Sequence, residues 1–192
     1  MNKLNIINEL ISICGNQSVI EEYSELHLFN KDWDDKYNNK SICAVLPKNE
    51  IEISSILKFC NLHDIKVVPQ GGNTGLVAGA NPNYDDKEII LNLSKMNKII
   101  EIDSTNYSIN LEAGVILQSA QEEVSKYKLF LPIEMASSGS TQIGGSISTN
   151  AGGLNVIKYG SIREQILGMR VVLANGEILE LNSKMRKNNM GY

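Results

Sequence analysis

The sequence predicts an α+β fold. Three observations carry that prediction. A strand, a helix and a second strand fit within residues 41–68, which is a βαβ unit. Three further strands and a helix follow between residues 88 and 127, with short turns. Near the end two apolar runs flank Asn175-Gly176, a dipeptide suited to the positive φ values of a two-residue hairpin turn. The chain has 192 residues, room for one domain or two small ones. A chain of that length buries ~70% of its unfolded surface and needs no disulfide or metal staple.

The elements follow in order. Leu4, Ile7, Leu10 and Ile11 recur at helical spacing, so residues 3–14 read as an amphipathic helix ending near Gly15. Residues 21–40 are polar and mixed, with Trp33 and Tyr37 as isolated anchors. Residues 41–46 form a short apolar strand. Pro47 and Asn49 open a helix that carries Ile53, Ile56, Leu57 and Cys60 on one face. Asp64 breaks it, and His63 is its terminal residue. A second strand covers 65–68 and ends at Pro69. Residues 70–83 are a loop rich in Gly and Asn. Strands are expected at 88–93, 98–102 and 108–112, then a helix over 115–127. A long irregular stretch covers 136–155, and strands at 168–174 and 177–181 close the readable part.

Composition excludes several classes. The fractions, 42% apolar and 21% charged, are those of a globular chain. A net charge of −4 without a dense basic run argues against nucleic acid as a partner. Cys14, Cys43 and Cys60 lack Cys-x-x-Cys spacing and read as buried small apolar residues in a reducing compartment. No stretch approaches the ~18 apolar residues of a membrane span. Residues 1–14 are interrupted by Asn5, Asn8 and Glu9 and lack a signal-peptide core, so a cytoplasmic location is expected. His27 and His63 have no metal-ligand spacing, and no metal is expected. The acid pairs Glu21-Glu22, Asp34-Asp35 and Asp85-Asp86 read as solvated surface. The excess of Ile and Asn with only three Arg reads as codon drift in an AT-rich genome and carries no functional weight.

Glycine marks the chemistry. Of 15 Gly, four lie between Gly71 and Gly79 and six between Gly139 and Gly160. The windows PQGGNTGLVAGAN and MASSGSTQIGGSISTNAGGLNVI carry no charged side chain. They offer backbone N–H groups, small side chains and hydroxyls. Glycine lets backbone approach a ligand closely, and runs of N–H groups make anion-binding concavities without cations. The reading is a diphosphate cradled by main chain. No G-x-G-x-x-G, P-loop or G-x-S-x-G motif is present. A cradle without an evident acid, base or nucleophile points to a cofactor that brings its own reactivity.

At PQGGNTGLVAG and GSTQIGGSISTNAGG the sequence resembles FAD-linked oxidases of the vanillyl-alcohol oxidase type, most of all the D-2-hydroxyglutarate and D-lactate dehydrogenase branch. The resemblance extends through DWDDKY, EISSILKFCN, KYGSIREQILGMRVVLANGEIL and RKNNMGY. It implies a PCMH-type FAD-binding domain made of two α/β subdomains, here stopping before its last strands and cap domain. It divides the chain into an N-terminal helix and lead-in segment at 1–40 and the FAD-binding domain at 41–192. The family's first loop wraps the FAD diphosphate and falls on Pro69, Gly71, Gly72, Asn73, Thr74, Gly75 and Leu76. Its second segment follows the diphosphate, ribityl chain and flavin ring, here Gly139, Ser140, Ile143, Gly144, Gly145, Thr149, Asn150, Gly152 and Gly153, with Tyr159 beyond. Covalent members attach the flavin through a histidine in the first loop. Asn73 stands in that loop with no His, so FAD is expected to be non-covalent.

The implied reaction oxidises the hydroxyl of a 2-hydroxy acid to a ketone, with hydride passing from C2 to flavin N5 and electrons leaving to a separate acceptor such as an electron-acceptor protein. The catalytic residues are expected in a part that family members carry beyond Tyr192. Two alternatives keep the same motifs. One is an inactive remnant that binds FAD weakly or not at all, consistent with Arg163, Arg170 and Arg186 as the only arginines. The other is a flavoprotein like UDP-N-acetylenolpyruvoylglucosamine reductase.

Overall fold

The computed structural model describes residues 1–37, 39–83 and 87–181. The Asp85-Asp86 pair, Arg186 and the RKNNMGY run lie outside the described residues.

Helix α1 spans Lys3–Cys14, capped by the Asn2 side chain, which accepts the Asn5 N–H at 2.9 Å. Its buried stripe is Ile6, Ile7, Leu10 and Cys14. Leu4, expected on that face, is 69% exposed. Positions 6, 10 and 14 stack at i, i+4 and i+8, and position 4 falls off the stripe. Strand β1 is Val19–Ile20, and helix α2 is Tyr23–Asn30. Strand β2, Ala44–Val45, is shorter than the apolar run that holds it. Helix α3, Glu50–Leu62, opens on Asn49, whose side chain accepts the Glu52 N–H. Glu50 and Glu52 in its first turn complement the helix dipole. Asp64 at φ 54° turns the chain out of it. His63 is its C-cap, with its ring against Phe59 at 4.9 Å.

Strand β3 is Lys66–Gln70 and β4 is Glu88–Asn92. The first sheet runs β1-β2-β4-β3, with β2, β4 and β3 parallel and β1 antiparallel at the other edge. The βαβ unit is therefore real, but β4 inserts between its two strands. Pro69 does not end β3; it lies within it, opposite Leu91. The edge position makes this tolerable, because among the described residues β3 pairs with β4 alone and the missing N–H breaks no second ladder.

Strand pleating divides the apolar residues between two faces. Cys43, Val45, Val67, Ile89 and Leu91 meet Ile6, Ile7, Leu10, Ile53, Ile56 and Cys60 of α1 and α3. Ala44, Leu46, Val68 and Ile90 meet Leu26 and Phe29 of α2. Helix α2 was not expected. Its sequence, YSELHLFN, leaves Tyr23 and Leu28 exposed and contributes a narrow apolar contact. Trp33 and Tyr37 are not anchors either, being 72% and 48% exposed. Buried polar groups hold this segment instead. Asn30 Oδ1 accepts both the N–H and the hydroxyl of Ser41, at 3.1 and 2.7 Å, and Asp32 Oδ1 accepts the Tyr37 N–H at 3.0 Å.

A second core lies farther along. Strands β5 (Ile99–Asp103) and β6 (Ser108–Leu111) form their own antiparallel ribbon, so they do not continue β4 as a meander. Helix α4 is Leu117–Ser125. The expected irregular stretch contains helix α5, Ile143–Ser148, with short helices α6 (Val156–Tyr159) and α7 (Ile162–Gln165) behind it. Val115, Leu117, Ala120, Ile133, Ile143 and Ile162 bury together here.

Strands β7 (Met169–Val172) and β8 (Ile178–Leu181) pair as a hairpin. Its loop has three residues rather than two. The Gly176 N–H donates to Leu173 O at 2.8 Å, and within Asn175-Gly176 only Gly176 has positive φ, at 81°. That is a tight turn closed by a left-handed glycine. The hairpin returns to the first core: Val172 packs there, and the Ser54 hydroxyl donates to Gly176 O at 2.5 Å.

The three cysteines are buried and free, as expected. Burial pushes the Cys43 and Cys60 thiols up to about 12 and raises that of Cys14.

Candidate cofactor-binding site

The first glycine-rich loop leaves β3 at the carboxyl ends of the parallel strands, where such sheets bind ligands. Its base is fixed by amides. Buried Gln70 donates from Nε2 to Phe29 O and Ala80 O, both at 2.9 Å. Asn92 Nδ2 donates to Gln70 Oε1 and to Gly71 O, both at 3.1 Å. Asn73, at φ 51°, donates from Nδ2 to Lys31 O at 2.7 Å. Asn is among the residues that tolerate this conformation. Pro69 sits one residue below the loop, within β3.

The second segment meets this loop. A Cβ on Gly72 would overlap the Ser140 carbonyl oxygen, so only glycine permits this approach. A Cβ on Gly71 would lie 3.5 Å from Gln142 Cβ and Oε1. The Thr74 and Thr141 hydroxyls are 3.2 Å apart, and Ser137 Oγ is 2.7 Å from Thr141 Oγ1. The seam thus joins residues 71–74 to 140–142.

Backbone donors without a protein acceptor occur in both glycine-rich segments. Among the described residues no protein acceptor takes the N–H of Gly71, Gly72, Asn73, Thr74 or Gly75, nor of Gly139, Gly145, Gly152 or Gly153. Other donors are used internally. The N–H of Ile143 goes to Val115 O at 3.0 Å, and that of Gly144 to Ala113 O at 2.8 Å. Ile143 is also a core side chain. The Ser140 N–H goes to Ser137 O, and Thr149 donates from its hydroxyl to Gly145 O at 3.0 Å. Asn150 Oδ1 accepts the Arg163 N–H at 3.0 Å. Gly153 stands against the Glu134 carbonyl with no room for a Cβ. Leu76 is exposed beside the free donors, and Tyr159 is part-exposed, edge-on to Phe130 at 5.8 Å with Lys158 Nζ 5.0 Å above its ring.

Sequence reasoning missed Gln70, Asn92, Thr141 and Gln142, which brace the site, and Gly114, where a Cβ would overlap Leu93 O. A signal existed for two of them. Gln70 and Asn92 are amides at the ends of otherwise apolar strands, where a polar side chain must find partners. No group of three or more His, Cys, Asp or Glu among the described residues is placed to hold a metal. No helix among them is long and apolar enough to cross a membrane.

Unengaged N–H groups, neutral hydroxyls and enforced backbone contact suit a diphosphate, and the exposed apolar rim suits a larger group attached to it. The fold and this cradle define a dinucleotide-type binder outside the Rossmann pattern. A family profile described as FAD binding domain matches residues 42–182. The chain belongs to that family, and its cofactor is FAD.

The chain is 44% identical to the probable mitochondrial D-2-hydroxyglutarate dehydrogenase of Oryza sativa subsp. indica, over 94% of this chain and 32% of that protein. It is 40% identical to the D-2-hydroxyglutarate–pyruvate transhydrogenase of Saccharomyces cerevisiae, over 94% of this chain and 36% of that protein. Among solved structures, an alkyldihydroxyacetonephosphate synthase superposes with a TM-score of 0.84 at 19% identity, covering 100% of this chain and 37% of that one. Substrate-bound p-cresol methylhydroxylase superposes with a TM-score of 0.73 at 24% identity, covering 93% and 35%. These likenesses establish the PCMH-type fold. The chain spans about a third of the length of the relatives it matches.

Proposed function

We propose that this chain is the FAD-binding part of a flavin-dependent 2-hydroxy-acid dehydrogenase, with D-2-hydroxyglutarate as the leading substrate and D-lactate next. The observation that carries this reading is the seam that joins residues 71–74 to 140–142, with the unengaged N–H groups of Gly71 to Gly75, Gly139 and Gly145 beside it. The names of the matched relatives supply the substrate class. When bound, FAD supplies an acceptor for the hydride lost from the substrate carbon. The residues assigned to hold it are Gly71 to Gly75 and Gly145, Gly152 and Gly153, through their N–H groups. Ser140, Ile143, Gly144, Thr149 and Asn150 shape the segment through internal bonds, and Leu76 and Tyr159 line its rim. FAD is held non-covalently, since the first loop has Asn73 and no histidine. The electrons leave to a separate acceptor. The yeast relative's name pairs D-2-hydroxyglutarate with pyruvate, so a 2-keto acid belongs in the assay beside artificial dyes.

The test is a titration of the purified chain with FAD, followed by flavin fluorescence. Saturable quenching, with all flavin released on acid precipitation, is expected. A folded chain without quenching at high micromolar FAD overturns the binding assignment. Turnover with D-2-hydroxyglutarate, D-lactate and glycolate then ranks the substrates.

A further inference from the structure

Thr74, Thr141 and Ser137 place three hydroxyls in a row. Thr74 Oγ1 lies 3.2 Å from Thr141 Oγ1 across the seam, and Thr141 Oγ1 lies 2.7 Å from Ser137 Oγ. Each hydroxyl has one proton to donate and can also accept. Thr141 is 5% exposed, and among the described residues its hydroxyl has these two oxygens as partners. Its proton therefore goes to one of them, because a buried donor left unpaired is destabilising. That choice sets the direction of the row. If Thr141 donates to Ser137, the Thr74 proton turns inward to Thr141. If Ser137 donates to Thr141 and Thr141 to Thr74, the Thr74 proton points out of the row. The two ends differ. Thr74 is half-buried in the loop whose N–H groups, from Gly71 to Gly75, meet no protein acceptor among the described residues. Around Ser137, the N–H groups of Ser138, Ser140 and Thr141 are held by Met135 O and Ser137 O. A group that carries acceptors alone, such as a diphosphate, meets a run of free donors at the Thr74 end.

We propose that Ser137 and Thr141 are positioning residues that aim the Thr74 hydroxyl proton at a diphosphate oxygen of the nucleotide. The inference rests on the FAD-binding reading above and deepens it. A diphosphate oxygen accepts and does not donate, so it selects the arrangement in which Ser137 donates to Thr141 and Thr141 to Thr74. In that arrangement each donated bond polarises the next hydroxyl, and Thr74 becomes a stronger donor than an isolated threonine. Thr141 acts through Thr74, and Ser137 through Thr141. The second glycine-rich segment is thereby tied to the diphosphate through a side chain of the first.

The test is a double-mutant cycle on the full chain, with Thr74→Val and Thr141→Val alone and together, read as binding of FAD and of ADP. Valine keeps the shape of threonine and removes the hydroxyl. Thr74→Val is expected to weaken both ligands about tenfold, the loss of one hydrogen bond to a charged acceptor. Thr141→Val should weaken both about threefold to tenfold, and should cost nothing further once Thr74 is valine. Thr141→Ser, which restores the hydroxyl, should bind as the wild type does. Ser137→Ala, at a half-buried position, breaks the same row from its far end and serves if Thr141→Val does not fold. Unchanged FAD affinity in Thr141→Val overturns the proposal. So does a loss as large in the Thr74→Val background as in the wild type, which would mark a merely structural residue, and so does a loss confined to FAD and absent with ADP. A wild-type chain that does not bind FAD overturns this proposal together with the binding assignment, whereas a wild type that binds with unaffected Thr141 and Ser137 variants overturns this one alone.

Discussion

Gly72 and Gly75 lie three residues apart in one loop and make opposite demands. A methyl group on Gly72 meets the Ser140 carbonyl, whereas one on Gly75 meets nothing within 4 Å. Gly72→Ala should part the two segments, costing about 1–3 kcal/mol and weakening FAD at least ~10-fold. Gly75→Ala should change stability by no more than ~0.5 kcal/mol. Urea denaturation and flavin fluorescence of the two variants make the comparison. The cysteines give a pH prediction. Cys43 and Cys60 keep their protons to about 12 when folded, against an ordinary value of 9.0. Between those values the unfolded chain binds fewer protons, so unfolding becomes easier as pH rises. Their contribution is complete below about pH 9 and is lost toward 12. Urea midpoints should fall from about pH 8 to about pH 11, and Cys60→Ala should make the decline shallower.

The elements that sequence patterning locates well are those with strong local signals. Helix α3 has its Asn49 cap, apolar stripe and Asp64 break all in the chain itself. Helix α5 does not. Its IGGSIS sequence is poor in helix formers, and it is helical because Ile143 enters the second core and the Gly144 N–H is held by Ala113. The insertion of β4 between β2 and β3 is likewise a tertiary choice that periodicity does not encode. The two glycine windows announced the site, since a lack of charge over long polar segments is visible in sequence. Their contact through Gly72 and Ser140 was not, because it joins residues far apart in the chain. The β7–β8 hairpin offers a test at this scale. Ser54→Ala removes the hydroxyl that meets Gly176 O, and should cost about 1 kcal/mol in thermal or urea melts.

In the whole molecule the cradle joins the loop that leaves β3, a strand of the first core's sheet, to the segment that leads into α5 of the second core. Among the described residues, Thr74 and Thr141 make a polar contact across the seam itself. A ligand bound to both sides stabilises the folded chain by mass action. At FAD concentrations about 100-fold above Kd the gain is ~2.7 kcal/mol. For a chain of this size that corresponds to a rise in Tm of about 5–10 °C, measurable by calorimetry. An equal shift with adenosine, which has no diphosphate, would argue against the cradle as the anchor.

The bond from Ser54 to Gly176 spans 122 residues. Everything in the second core is encoded between its two ends. During synthesis α3 emerges early, yet the hairpin that covers it follows only after those 122 residues have been made. At ordinary translation speeds that interval is roughly 6–24 s. The part of the chain made first is thus the part closed last, and the helix face carrying Ser54 waits uncovered on the ribosome while the second core takes shape.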